Sequence, residues 1–444
     1  MTGGRPTTSR RSTPRPNSSC WTAIRTKPPT SIRSSRPRCC WCASSSPRRC
    51  PGPRTWPPRC PASSPAAPAA RRGTIREDRR GRAFPAASSA MHPLVERLPR
   101  PDPDYHRFLA VLRRARPDRV PLIELAVHPS VVNTLLDEPT PAGPADARMT
   151  AVRALRLHHR LGYDVMKISA PIPFRVDRLT AAPGADATRQ WTDEHAGPIA
   201  ELADVERYPW PRPADVDFGP VEAAAAELPD GMRLIGFSGG ILEFAMDLLG
   251  MTRLMHATRK NPALVTAVLD RVGPIVASVF ETYCRMDAAC AVWLGDDLGH
   301  KHGPLLSPAW LIEHVVPWYR RLAEIAHAHG RPFLLHSCGQ TAAVLPAIVA
   351  AGIDAKHSFE DGIEPVEAFY DRWHERIAVL GGVDVHRLAT HDAAAIRART
   401  HEILAHTAAG GGYACGSGNS IPDYVPPPAY VAMVAAVHEF NGRA

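Results

Sequence analysis

Residues 91–444 predict an α/β chain whose parallel strands close into a (β/α)8 barrel. Three observations carry this. Eight short apolar runs recur along the body of the chain. Longer amphipathic segments separate most of them. Five consecutive runs end in polar clusters rich in Gly, Asp, His and Cys. Strands that alternate with helices pair in parallel, and eight of them suffice to close a sheet on itself.

The apolar runs fall at residues 120–124, 164–168, 233–237, 291–294, 333–335, 354–356, 377–380 and 412–415. The clearest helical patterns lie at 262–285, 308–329, 341–351, 393–407 and 428–440. Asn261-Pro262 and Ser307-Pro308 supply a capping side chain followed by Pro in the first turn, where a missing N–H costs nothing. One stretch breaks the rhythm. Residues 174–230, with Arg175-Val-Asp-Arg, Gln190-Trp-Thr-Asp and several Pro, read as an insert between strands 2 and 3, a hairpin and loops that would lid the barrel mouth. No internal repeat is visible beyond the barrel rhythm.

Charge and cysteine divide the chain at about residue 90. The formal charge of +9 suggests nucleic acid, but residues 1–90 hold 19 Lys+Arg against 2 Asp+Glu, leaving 34 against 42 in the remainder. The body is acidic, which argues against a nucleic-acid partner. Six of the ten cysteines also lie in the first ninety residues, which have no His and one Lys, Lys27. That segment shows no periodicity and cannot bury enough apolar surface to offset its ordering entropy. It reads as a disordered basic arm, a transit peptide, or codons translated from a misplaced start. The composition favours the last, because Arg, Pro, Ala, Cys and Trp have GC-rich codons and Met91 opens a sensible beginning. Residues 1–90 are thus expected to be a non-native or disordered extension, with the enzyme domain in 91–444. The cluster Cys39, Cys40, Cys42 has no flanking fold to orient ligands. The body keeps Cys284, Cys290, Cys338 and Cys415, too few for a disulfide framework. No run of 18 apolar residues spans a membrane and no secretory signal is visible, so a cytoplasmic location is expected.

In such a barrel, reactive groups sit just past the carboxyl ends of the strands. The run 291–294 is followed by Gly295-Asp296-Asp297, and 333–335 by His336-Ser337-Cys338-Gly339. After 354–356 come His357, Glu360 and Asp361; after 377–380, Gly381-Gly382-Val383-Asp384; after 412–415, Gly416-Ser417-Gly418-Asn419-Ser420. Residues i and i+2 of an extended strand point the same way. His336 and Cys338 can therefore reach one point, and imidazole with thiolate is a good zinc pair. Asp296 and Asp297 point to opposite sides, so one can face the site while the other caps a helix or pairs with a base. Asp384 could orient a histidine ligand from behind. These three aspartates are the candidate catalytic residues. Ser417 and Ser420 lack the Gly-x-Ser-x-Gly elbow, and the glycine run lacks a GK[ST] ending, so it reads as close backbone packing rather than a phosphate cradle.

Several stretches together resemble the uroporphyrinogen decarboxylase-like superfamily over about residue 105 to the C-terminus: RFLAVLRRARPDRVPLIE (107–124), WLGDDLGHKHGPLLSPAWL (293–311), HSCGQTAAVLPAIVAAGIDAKHSFED (336–361), GGVDV (381–385) and GSGNSIPDYVPPPAYVAM (416–433). The resemblance implies a TIM barrel and a choice between two chemistries. The true decarboxylases carry an Arg-Gln-Ala-Gly-Arg-Tyr segment after the first strand, whose arginines bind the substrate's carboxylates. Here residues 122–130 read LIELAVHPS, with no Arg. The other branch resembles methylcobamide:coenzyme M methyltransferases, which bind zinc through His-x-Cys and a later Cys. His336 and Cys338 match the first two. The later cysteine falls at Asn419, and Cys415 lies four residues before it, so Cys415 or a carboxylate such as Asp296 would complete the site. The primary expectation is a zinc-dependent methyltransferase working with a corrinoid carried on a separate protein, with His357, Glu360 and Asn419 lining the substrate. The alternatives are a metal-free porphyrinogen decarboxylase, with Asp296 or Asp297 on pyrrole N–H groups and Arg175 and Arg233 on carboxylates, and a non-catalytic tetrapyrrole-binding protein.

Overall fold

A computed structural model describes residues 91–443, apart from 139–145, 177 and 181–189. The expectations for residues 1–90 lie outside the described residues. Seven parallel strands form one sheet: β1 Val165–Ser169, β2 Arg233–Gly239, β3 Ala289–Gly295, β4 Phe333–His336, β5 Ala355–His357, β6 Ala378–Leu380 and β7 Tyr413–Ala414. They neighbour one another in chain order, each joined to the next by a connection that contains at least one helix. The expected first strand, 120–124, is reduced to an isolated parallel bridge of Leu122 to Cys415. Ile123 N donates to the Cys415 carbonyl and Cys415 N to that of Pro121. That segment therefore curls round beside the last strand. The architecture is a curled parallel sheet, TIM-barrel-like.

Side-chain parity sorts the strands into an inside and an outside. Val165, Ile235, Ala291, Trp293, Leu334, Ala355, Ala378, Leu380 and Ala414 form one buried cluster with Phe108, Val111 and Leu112 of the Tyr105–Leu112 helix. This is the barrel interior, plugged at its amino-terminal end by that helix. Met166, Ile168, Leu234, Leu294, Leu335, Val379 and Cys415 join the larger cluster under the surrounding helices. Inward and outward residues are both apolar, as expected of a parallel sheet covered on both faces.

Local signals act where they were read. Asn261 caps the Pro262–Cys284 helix through Leu264 N, and Ser307 caps Pro308–His314 through Trp310 N. The long helix expected over 308–329 is two, Pro308–His314 and Val316–Ala328. Pro317, which cannot donate to the carbonyl four residues back, explains the break. The Pro262–Cys284 helix is long and apolar enough to cross a membrane. It is the core helix of this fold, with Val268, Val272, Val276 and Phe280 fully covered. Between β1 and β2 lie a two-stranded antiparallel hairpin, Arg178–Thr180 with Gln190–Thr192, and the helices Leu202–Arg207 and Gly219–Ala226.

Candidate functional site: a His, Cys and Asp group at the carboxyl end of the barrel

β4 and β5 end side by side, with His336 in register with His357. Both imidazoles point into the barrel mouth, following Leu334 and Ala355 at the i−2 positions. His336 Nδ1 is 2.8 Å from His357 Nδ1, and His336 Nε2 is 3.3 Å from Cys338 Sγ. Asp297, in the loop after β3, brings Oδ1 to 3.7 Å from His336 Nε2 and accepts from Cys338 N at 2.7 Å. The ligand-capable atoms of Asp297, His336 and Cys338 lie within 4.8 Å of one another. Asn419 donates its amide to Cys338 Sγ at 3.3 Å, and the Ser358 hydroxyl lies 3.6 Å from the same sulfur. Ser358 has φ +96°, a strained left-handed backbone of the kind that clusters at functional sites.

The electrostatics follow from burial. Desolvation, then the neighbouring His357, Lys356 and Lys167, hold His336 well below its ordinary range. Burial and Lys356 bring His357 to about 3. Both rings are neutral at physiological pH. Burial, reinforced by Asp297, pushes the Cys338 thiol up to about 12. The group thus offers a neutral imidazole, a carboxylate, and a thiol whose ionisation burial disfavours. That donor set fits zinc, which takes nitrogen, sulfur and oxygen ligands of this kind.

The other expected residues divide. Asp296 is fully buried, and its carboxylate accepts from Leu242 N, Glu243 N and the Tyr319 hydroxyl at 2.7–3.1 Å. It caps the Ile241–Leu249 helix, which corrects its expected place as a catalytic residue or metal ligand. Asp384 likewise caps Val385–Thr390 through His386 N and also accepts from Asp361 N, so it orients a loop rather than a ligand. Cys415 is fully buried on the outer face of the sheet. It stands outside the His336 group, because strand parity sends Ala414 inward and Cys415 toward the helices. Arg233 leads β2 at the amino-terminal end of the barrel, where it stacks over Tyr105 at 4.6 Å; it stands at the wrong end to bind a substrate at the mouth. Arg175 is exposed, with its backbone held by the Tyr208 hydroxyl. Glu360 stands exposed in the loop after β5, and partial desolvation of its carboxyl, then the neighbouring Asp384 and Asp297, raise it above its ordinary value.

Several residues here were not singled out as site residues from sequence. Lys167, two positions after the inward Val165, sits over the Phe237 ring at 4.0 Å, and burial brings it down to about 8. Its place inside an otherwise apolar strand was the available signal. Glu124, 2 % exposed, accepts from Ser417 N at 2.8 Å and Ser417 Oγ at 2.6 Å. No local pattern marks that pair, which is 293 residues apart.

Glu124 makes the pH dependence of stability testable. Burial raises it from 4.5 to about 8, so the folded protein holds this proton more tightly than the unfolded chain does. The contribution is full below the unfolded value and is lost as pH rises through about 8. Urea unfolding of the unmodified protein should therefore weaken more steeply from pH 5 to 8 than that of Glu124→Gln, which has no proton to lose. Parallel pH profiles would show that Glu124 is ionised in the fold.

Comparison with known proteins agrees with this architecture. The family model described as Uroporphyrinogen decarboxylase (URO-D) matches residues 104–440. Similar proteins named uroporphyrinogen decarboxylase include one from Pseudomonas paraeruginosa, 29 % identical over 55 % of this chain and 70 % of the relative. Another, from Anaeromyxobacter dehalogenans, is 26 % identical over 76 % of this chain and 99 % of the relative. Among solved structures, a methyltransferase from Methanosarcina mazei superposes with a TM-score of 0.60 at 18 % identity, covering 75 % of this chain and 98 % of that one. That likeness concerns the fold. With a family model matched from the plug helix to the last helix, the chain belongs to the uroporphyrinogen decarboxylase family.

Proposed function

We propose that residues 91–444 form a zinc-dependent methyltransferase that moves a methyl group from a corrinoid on a partner protein to a thiol or similar acceptor. One observation carries the reading: Asp297, His336 and Cys338 converge at the carboxyl end of the barrel with their ligand atoms within 4.8 Å. Zinc, when bound, would supply the Lewis acidity that keeps an acceptor thiol as thiolate near neutral pH. The protein's own residues prepare for this. His336 presents an unprotonated imidazole because its surroundings disfavour charge. Cys338 would give up its proton on binding the cation, and the Asn419 amide already donates to its sulfur. Asp297 adds negative charge and holds the Cys338 backbone. The hairpin after β1 would lid the mouth and exclude water. The described cysteines are all free, which supports work in the reducing cytoplasm.

A second reading, a metal-free carboxy-lyase, is favoured by the names of the similar proteins. Against it stand the absence of Arg from residues 122–130 and the position of Arg233 at the far end of the barrel. Metal analysis with two assays separates them. The expected result is about one zinc per chain and methyl transfer from a methylated corrinoid to a thiol, followed by the corrinoid absorbance. Carbon dioxide release from a porphyrinogen by zinc-free protein would replace this reading with the second.

A further inference from the structure

We propose that Glu124, Ser417 and His357 form a positioning relay that holds the His336 proton on Nδ1 and aims a bare Nε2 lone pair at Cys338 and Asp297. The argument runs from the far end of the chain of hydrogen bonds. His357 Nε2 is 3.2 Å from the Ser417 carbonyl oxygen. A carbonyl only accepts, so His357 Nε2 carries the hydrogen. A neutral imidazole has one N–H, which leaves His357 Nδ1 as an acceptor. The 2.8 Å approach of the two Nδ1 atoms then requires His336 Nδ1 to donate, since the other tautomer would face two lone pairs. His336 Nε2 is thereby free, 3.3 Å from Cys338 Sγ and 3.7 Å from Asp297 Oδ1. Partners behind a ligating histidine set its tautomer and ring orientation.

The Ser417 carbonyl is held in place by what surrounds it. Glu124 takes both the amide and the hydroxyl of Ser417, and Gly382 N donates to the same carbonyl at 3.3 Å. The backbone here tolerates no side chain. A Cβ on Gly416 would come within 1.7 Å of the Ile123 oxygen. One on Gly381 would come within 2.2 Å of the Ser417 oxygen and 2.8 Å of His357 Nε2. Glu124 therefore ties the first segment of the barrel to the last loop, and through that loop and His357 it reaches the metal-facing imidazole. His357, expected from sequence to touch substrate, acts here through His336.

The consequence for metal affinity rests on the zinc reading; the tautomer does not. The test uses full-length protein with 15N-labelled histidine, stripped of metal, and long-range 1H–15N spectra. His336 and His357 signals are assigned by His336→Gln and His357→Gln. The expected result is His336 protonated at Nδ1 and His357 at Nε2. His357→Phe should let His336 move toward the Nε2–H form and weaken Zn2+ binding, measured against a competing chelator, by about 10- to 100-fold. His357→Gln, whose amide can accept from His336 and donate to Ser417, should restore both. Glu124→Leu should disturb the tautomer, and Glu124→Gln should keep it. Correct tautomers in a protein that binds no zinc would uphold the relay and end the metal reading. A His336 found as Nε2–H in the unmodified protein overturns the proposal. So does a His357→Phe variant with an unchanged His336 tautomer.

Discussion

Replacing Cys338 by Ser is expected to reduce bound zinc from about one per chain to near zero while the barrel stays folded. Serine keeps the size of the side chain but not the soft thiolate that zinc selects over an alcohol. The remaining His336 and Asp297 would be a two-residue site. The fold should survive because Cys338 lies past the end of β4, and its amide can still donate to Asp297. Metal content after zinc-replete purification and a circular dichroism melt read the two halves of this. Cys415→Ser is the control. Its side chain faces the helices from the outer surface of the sheet, so zinc should be unchanged. If zinc is lost from Cys415→Ser and retained in Cys338→Ser, the site has been placed on the wrong side of the sheet.

Asp296→Ala is expected to lower stability by about 3 kcal/mol with zinc stoichiometry intact. Two contributions make up the figure. Loss of the cap on Ile241–Leu249 costs roughly 0.5–2 kcal/mol. Stranding the buried Tyr319 hydroxyl, now 2.7 Å from the carboxylate, costs roughly 1–3 kcal/mol. Asp296→Asn should recover much of the loss, because its amide oxygen can still accept from the helix N–H groups. Urea midpoints at constant slope give the comparison. An Ala variant as stable as the parent but inactive would return Asp296 to the chemistry and refute its structural assignment.

The neighbouring pair Asp296 and Asp297 shows how far sequence could reach. Adjacency on a strand end implies opposite directions, one to the site and one to a cap. Which does which depends on the Ile241–Leu249 helix arriving from another crossover. His336 and Cys338 were legible for the same reason in its simpler form: an i, i+2 spacing converges whatever the partner strands do. Cys415 was not. Tyr413, Ala414 and Cys415 are all buried, and a parallel strand covered on both faces shows no polar alternation to say which residue points inward.

By itself the sequence determined the α/β alternation, the caps that start the helices, the polar strand ends, and the His-x-Cys pair with its acidic neighbours. These are local properties, written in periods of two and 3.6 residues and in the chemistry of turns. Only the tertiary structure decided which carboxylate faces His336 and Cys338, which cysteine is turned away, and that Arg233 stands at the amino-terminal end. It alone brought Glu124 to Ser417, 293 residues apart. The physical reason is the curling of the sheet. Curling the sheet until its first segment meets its last sets the inward parity of every strand at once, and no single strand carries that information.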